Sequence, residues 1–407
     1  MSTTLSFDQL VSSRLQLLHS LVNNNRSLVG YIYPHAPLEL FFAHELIPIL
    51  LWADPEVTGA YEASLQTFCC AYSRNLFSQR AKERFPHLAA IAFPGGTCDS
   101  LQNLGDIWRA RFPEDMVLRI TYPVARDQTA ATFLAQELQN LSYHLQALLG
   151  KKFSLDKYRE AVALIAEFRA AGQFISAARL LLPDAFPYLD YARLIRQFLT
   201  APSPHSLHHI EQAATEVQTA LRAKQLLPTT EALRYGLLTK QFTELTLHPE
   251  RMGPRIMVVG GMVDPEGLAL LFENARIGAD IESAEIVFDL LSFTFRTLFA
   301  KTPNLSGDPY QELAESILSA PSEPTQEGLS TRLQFAQNAL SLFRIDGLII
   351  CEQSFCDPDQ FEIPELLKLA EKTKIPAIRL PLDPEFSDKA RLEGRLQSFL
   401  ETLTNHW

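Results

Sequence analysis

The sequence predicts an α/β protein made of two parallel-sheet halves joined by a helical segment. Short apolar runs alternate with longer helical patterns at the start, a wholly helical stretch then interrupts the alternation, and the alternation restarts beyond a Pro/Ser/His connector. The 407 residues exceed what one ordinary hydrophobic core spans, which fits two large domains.

In chain order, residues 28–33 (Leu-Val-Gly-Tyr-Ile-Tyr), 88–93 and 117–120 read as strands. From Thr129 to about Leu199, Ala, Leu and Gln dominate and apolar residues recur every three or four positions, the spacing of packed helices. Pro183 and Pro187 must interrupt them, because proline lacks the N–H that a helix interior needs. Ala201-Pro202-Ser203-Pro204-His205-Ser206 has the composition of a connector and sets the expected division into residues 1–200 and 201–407, with a helical segment following it. Strands are then expected at 255–261, 347–351 and 377–380, with a helix over 265–276. Residues 302–325, rich in Pro, Gly and Ser, are expected to form a surface loop.

Hydrophobic residues at 47% and charged residues at 20% are the balance of an ordinary globular protein. The net charge of −11, with no basic run, argues against nucleic acid as a partner. The N-terminus lacks a basic region followed by an apolar core, and no stretch approaches 18 uncharged apolar residues. No membrane association and a cytoplasmic location are therefore expected. In that reducing compartment the five cysteines, Cys69, Cys70, Cys98, Cys351 and Cys356, are read as metal ligands, redox centres or buried thiols rather than disulfides.

The two halves echo each other. Each expects a Cys-Asp pair just beyond a strand, at Cys98-Asp99 and at Cys356-Asp357. Ligands of open parallel sheets bind outside the carboxyl ends of strands, so facing halves would bring both cysteines to one cleft. Three thiolates from separated segments can bind a [4Fe–4S] cluster and leave one iron without a protein ligand. Free cysteines also serve as small buried hydrophobes. With no Cys-x-x-Cys spacing, spacing alone leaves both readings open.

Three segments carry a resemblance: Cys70-Ala71-Tyr72-Ser73-Arg74-Asn75, Thr97-Cys98-Asp99-Ser100 and Phe355-Cys356-Asp357-Pro358. In order and in neighbours they are similar to the ligand-bearing segments of the 2-hydroxyacyl-CoA dehydratase and benzoyl-CoA reductase family. Further similarity lies at residues 29–40, 255–273 and 375–401, so the resemblance covers nearly the whole chain. It implies two Rossmann-like or flavodoxin-like domains with a [4Fe–4S] cluster in the cleft between them, held by Cys70, Cys98 and Cys356. Cys69 is the runner-up to Cys70, and Cys351, inside an expected strand, is read as core. The family's double-cubane branch would want six thiolates, and the chain has five cysteines.

The resemblance also implies a reaction. An ATP-dependent iron–sulfur activator protein delivers one low-potential electron to a pair of homologous cluster-binding subunits, or to a homodimer, and an acyl-CoA thioester is converted through a radical anion. Lyase activity on a 2-hydroxyacyl-CoA is the first reading; reduction of an aromatic acyl-CoA and a non-catalytic electron-relay subunit are the others. Asn103 to Trp108 resembles the reductase branch more than the dehydratase branch. Pro34 stands where one dehydratase branch has a substrate-contacting Ser, and Tyr33 and His35 beside it could supply a proton or hydrogen bond instead. Glu56, in Pro55-Glu56, matches a Glu at the substrate and is a candidate acid or base, although it reads equally as a solvated carboxylate. Glu45 replaces the family's helix-ending Gly, so a different backbone is expected there. Gly260-Gly261 after a strand is read as a strand-to-helix turn rather than a phosphate cradle.

Overall fold

The computed structural model describes residues 7–23, 27–226, 253–279, 281, 283–326, 328–386 and 388–404. In chain order these form α1 (Phe7–Asn23), β1 (Leu28–Tyr31), α2 (Leu38–Ala43), β2 (Ile47–Leu50), α3 (Ala71–Ala81), β3 (Ala90–Gly95), α4 (Asp99–Arg111) and β4 (Val117–Thr121). Helices α5 (Gln128–Leu149), α6 (Leu155–Leu181), α7 (Tyr188–Thr200) and α8 (Pro204–Ala223) follow. The second half holds β5 (Arg255–Val259), α9 (Pro265–Gly278), β6 (Glu285–Leu290), α10 (Pro309–Ser319), α11 (Leu329–Leu342), β7 (Gly347–Gln353), α12 (Asp357–Thr373), β8 (Ala377–Leu382) and α13 (Lys389–Thr404).

The strands build two all-parallel sheets with the same order, β2-β1-β3-β4 and β6-β5-β7-β8. This is the start of the flavodoxin-like order, in which direction switches beside the first strand. β1, β3, β5 and β7 are interior strands, and β1, β3 and β7 are buried along their whole length. Parallel sheets covered by helices on both faces need such unbroken apolar runs, which is why these strands are legible in the sequence.

Several helices begin where short polar side chains cap them. Asp127 caps α5, Ser154 caps α6, and Asp264 caps α9, each accepting a backbone N–H of the first turn. Gly150 ends α5 in the left-handed conformation at φ 65°. Pro183 lies in a short 3-10 turn and Pro187 directly precedes α7, so both prolines do break the helical stretch. α6 packs on α2 of the first half and on β6 of the second, and α7 touches β2 and β6, so the helical segment joins the two sheets. By length and composition α6 is apolar enough to cross a membrane, but 56% of its most apolar window is buried inside the fold.

Four expectations need correction. Residues 302–325 are not one surface loop: Asp308 caps α10 and Pro309 occupies its first turn, where a missing N–H costs nothing. The connector is shorter than its composition suggests, because Ser203 and Ser206 form a capping box that starts α8 at Pro204. Two edge strands, β2 and β6, add to the expected set; β2 contains Pro48, tolerated at an edge, and β6 runs into further apolar residues that read equally as helix. Glu45 adopts the left-handed backbone, φ 56°, that the absent glycine would favour, so the turn is kept despite the side chain.

Candidate functional site

Residues beyond the carboxyl ends of strands in both sheets meet between the halves, Ala71 after β2 against Ser354 after β7 and His35 after β1 against Arg296 after β6. Cys98 follows β3 and Cys356 follows β7, the equivalent third strand in each sheet order. Cys70 ends the long loop after β2. All three sit at the N-cap position of a helix, Cys70 before α3, Cys98 before α4 and Cys356 before α12. Helix N-termini carry unpaired N–H groups and partial positive charge, which favours thiolates and anionic groups.

The halves are pinned together at this point. The Ala71 N–H donates to the Ser354 carbonyl at 2.9 Å, fixing Cys70 against the turn that carries Cys356. The Cys356 thiol donates to the Cys70 sulfur, which lowers the Cys70 pKa and, together with burial, raises that of Cys356. Burial pushes the Cys98 thiol up to about 12, with the Cys70 sulfur adding to the rise. The Cys69 thiol is also raised, first by burial, and hydrogen-bonds the Ser100 side chain on α4. Four of the five cysteines therefore surround one interhalf junction, while Cys351 is 1% exposed within β7 and its thiol pKa is raised by burial.

The turn before Cys356 is strained. Phe355 has φ 62°, a conformation that costs a bulky residue on the order of 1–3 kcal/mol. Its ring is held by Arg74, whose guanidinium lies 5.4 Å from the Phe355 ring centre and 5.1 Å from that of Tyr61. Gly260 and Gly261 lie close to this region for packing reasons: a Cβ on Gly260 would approach Cys351 Cβ to 3.0 Å, and one on Gly261 would approach Asp359 Oδ1 to 2.4 Å. They make a strand-to-helix turn, as expected.

A second group of buried polar residues crosses the junction. Tyr33 and His35, just beyond β1, meet Ser292 and Arg296 on a π-helical turn (Ser292–Arg296) after β6. Such turns are frequent at functional sites. Tyr33 Oη donates to Glu323 Oε1 at 2.7 Å, and Ser292 Oγ donates to Glu323 Oε2 at 3.3 Å. Arg296 Nε donates to His35 Nδ1 at 2.7 Å. Glu323 is 2% exposed and adds to the upward shift of Cys98, which links this network electrostatically to the thiols. Sequence reasoning finds Tyr33 and His35 but misses Arg296 and Glu323, whose burial depends on the other half of the chain.

Glu56 stands apart from this group. It is exposed and ion-paired with Arg84 at 2.6 Å, and its backbone N–H donates to Asp54 Oδ1. Both partners belong to the first half and neither touches a thiol.

Whether these residues suit a cluster can be judged from the thiols. Among the described residues no three His, Cys, Asp or Glu side chains converge closely enough to hold a single metal ion. A four-iron cluster takes each thiolate on a different iron and does not require that convergence. Burial and the Cys70 sulfur raise Cys98 and Cys356, so holding both as thiolates calls for positive charge beside them, which coordinated iron would supply. Cys70, Cys98 and Cys356 could therefore hold such a group, each at a helix end that stabilises its negative charge.

The chain is similar to known proteins over most of its length. The sequence model described as "2-hydroxyglutaryl-CoA dehydratase, D-component" matches residues 34–403. The chain is 23% identical to the beta subunit of lactoyl-CoA dehydratase of Anaerotignum propionicum, over 93% of this chain and 92% of that protein. It is 22% identical to a benzoyl-CoA reductase subunit of Thauera aromatica, over 87% and 85%. It is 19% identical to the beta subunit of (R)-phenyllactyl-CoA dehydratase of Clostridium sporogenes, over 95% and 94%. Extending across nearly every element that positions the thiols, these matches establish that the chain belongs to the 2-hydroxyglutaryl-CoA dehydratase D-component family.

Proposed function

We propose that this chain is the iron–sulfur subunit of a 2-hydroxyacyl-CoA dehydratase-type enzyme, with Cys70, Cys98 and Cys356 holding a [4Fe–4S] cluster. The observation that carries the reading is the placement of these three thiols at three helix N-termini on one junction. When bound, the cluster supplies low-potential electron transfer and one iron free of protein ligands. The chain's own part is to bury the thiols, stabilise their charge with α3, α4 and α12, and hold polar groups of the Tyr33–Glu323 network beside them.

The relatives are named as subunits, so a homologous subunit or a second copy is the expected partner, with an ATP-dependent activator protein and an acyl-CoA substrate. Location in the reducing cytoplasm belongs to the same reading. The similarity to a benzoyl-CoA reductase subunit makes an aromatic acyl-CoA the alternative substrate. Pro34, which brings no hydroxyl to the loop after β1, favours an electron-relay role as the second reading.

Protein prepared without oxygen should contain about four iron and four sulfide per chain. Near-stoichiometric zinc without sulfide would overturn the assignment. With the partner subunit present, a 2-hydroxyacyl-CoA or an aromatic acyl-CoA should perturb the cluster's electron paramagnetic resonance signal while free coenzyme A does not. A signal indifferent to every acyl-CoA would select the relay role.

A further inference from the structure

His35 has a hydrogen-bonding arrangement that dictates its protonation state. It is 3% exposed, and its Nδ1 faces the Arg296 guanidinium, which donates to it from Nε at 2.7 Å and also from Nη2. A guanidinium has only donors, so Nδ1 must keep its lone pair. The imidazole is then neutral, with its single proton on Nε2, because an imidazolium or the Nδ1–H tautomer would set N–H against N–H. Burial brings Arg296 down to about 10, still charged at neutral pH.

The proton-bearing Nε2 is buried and has no hydrogen-bond partner. Glu323 Oε1 lies 3.5 Å away but is already taken by Tyr33 Oη and Thr325 Oγ1. An unpaired buried donor costs roughly 1–3 kcal/mol, so an acceptor is wanted at this position. Gln326 is held in the same way: its Oε1 accepts from Arg296 Nη2 at 3.1 Å and from Arg126 Nη2 at 3.1 Å, and its Nε2 is buried without a partner. One guanidinium thus orients two side chains so that both keep a donor in reserve. His35 and Arg296 also line a cavity of about 40 Å³ at the junction, room for a few water-sized groups.

We propose that Arg296 is a positioning residue that locks His35 as a neutral Nε2–H donor, and that this N–H binds the acyl oxygen of a coenzyme A thioester. The inference rests on the function proposed above and assigns His35 hydrogen-bond donation rather than general acid or base work. A neutral imidazole serves as an electrophile without having to surrender its proton. The charged and titratable groups facing His35 are Arg296 and Glu323 from the second half, Tyr33 on its own segment, Tyr122 beyond β4, whose Oη bonds the His35 carbonyl at 3.0 Å, and Glu39 and Arg169 across the cavity.

The test is ¹⁵N spectroscopy of anaerobically prepared, histidine-labelled protein, with the His35 signals identified by their loss in His35→Gln. An acceptor-type Nδ1 and a protonated Nε2, unchanged from about pH 8 to about pH 6 where a free imidazole titrates, is the expected result. An Nδ1–H tautomer or an imidazolium in the unmutated protein overturns the proposal without recourse to any variant. Arg296→Met should free Nδ1 to carry a proton, so that the tautomer or charge of His35 changes from that of the unmutated protein, and Arg296→Lys should restore part of the lock. Lactoyl-CoA or benzoyl-CoA, added with the partner subunit present, should shift the Nε2–H resonance, whereas free coenzyme A should not. If the cluster signal responds to the thioester and His35 does not, the donor role falls and the proposed function stands. If neither responds, both fall.

Discussion

A cysteine at a helix N-cap and a cysteine inside a strand are the same side chain under opposite fields. Cys98 and Cys356 meet the positive end of a helix at a junction, whereas Cys351 is buried inside β7, where burial and the carboxyl groups of Asp359 and Asp289 disfavour its charged form. Replacing Cys70, Cys98 or Cys356 with Ala should each abolish the visible absorption of the bound cluster. Cys69→Ala and Cys351→Ala should retain it, the latter at a cost of about 1–2 kcal/mol in stability for the lost buried sulfur. Absorption that survives Cys356→Ala and disappears in Cys351→Ala would reverse the ligand assignment.

At the scale of elements, the strand-to-helix turn is what aims each thiol. Gly96, between β3 and Cys98, has φ 71°, and a Cβ there would lie 2.3 Å from the Tyr122 carbonyl oxygen. Because the obstacle is backbone, Gly96→Ala should shift the turn, lower the melting temperature by the equivalent of about 1–3 kcal/mol, and reduce the iron content. Unchanged melting and full iron would show that the turn tolerates displacement. The same scale explains which elements can be read in advance. Interior strands such as β7 are apolar throughout, while the edge strands β2 and β6 carry Pro48 or merge into apolar flanks, so their periodicity is ambiguous.

For the whole molecule, burial of carboxyl groups between the layers makes stability depend on pH. Burial raises Glu285, at the start of β6, from 4.5 to about 7, against the opposing pull of Arg179 and Arg276. The folded chain therefore holds a proton that the unfolded chain releases above about 4.5. Its contribution to stability is fully present below 4.5, declines as pH rises toward 7, and stays lost above that. Glu285→Gln should flatten this decline, so the difference in melting temperature between variant and unmutated protein should grow in the variant's favour from about pH 5 to about pH 8. A difference that is constant across that window would show that Glu285 is ionised in the folded state.

The parallel α/β class, the breaks at Pro183 and Pro187, and the family are legible without a structure, because they depend on local periodicity, proline chemistry and residues adjacent in the chain. The sequence also marked Cys98-Asp99 and Cys356-Asp357 as paired features beyond equivalent strands. That Cys70 lies against Cys356, that Glu56 faces Arg84, and that Arg296 and Glu323 close around His35 emerges only from the folded chain. Those partners are far apart along the chain, by 28 positions for Glu56 and Arg84 and by 261 for His35 and Arg296. No local pattern encodes such a distance; it is set by which face of each sheet the helices leave open and by how the two halves dock.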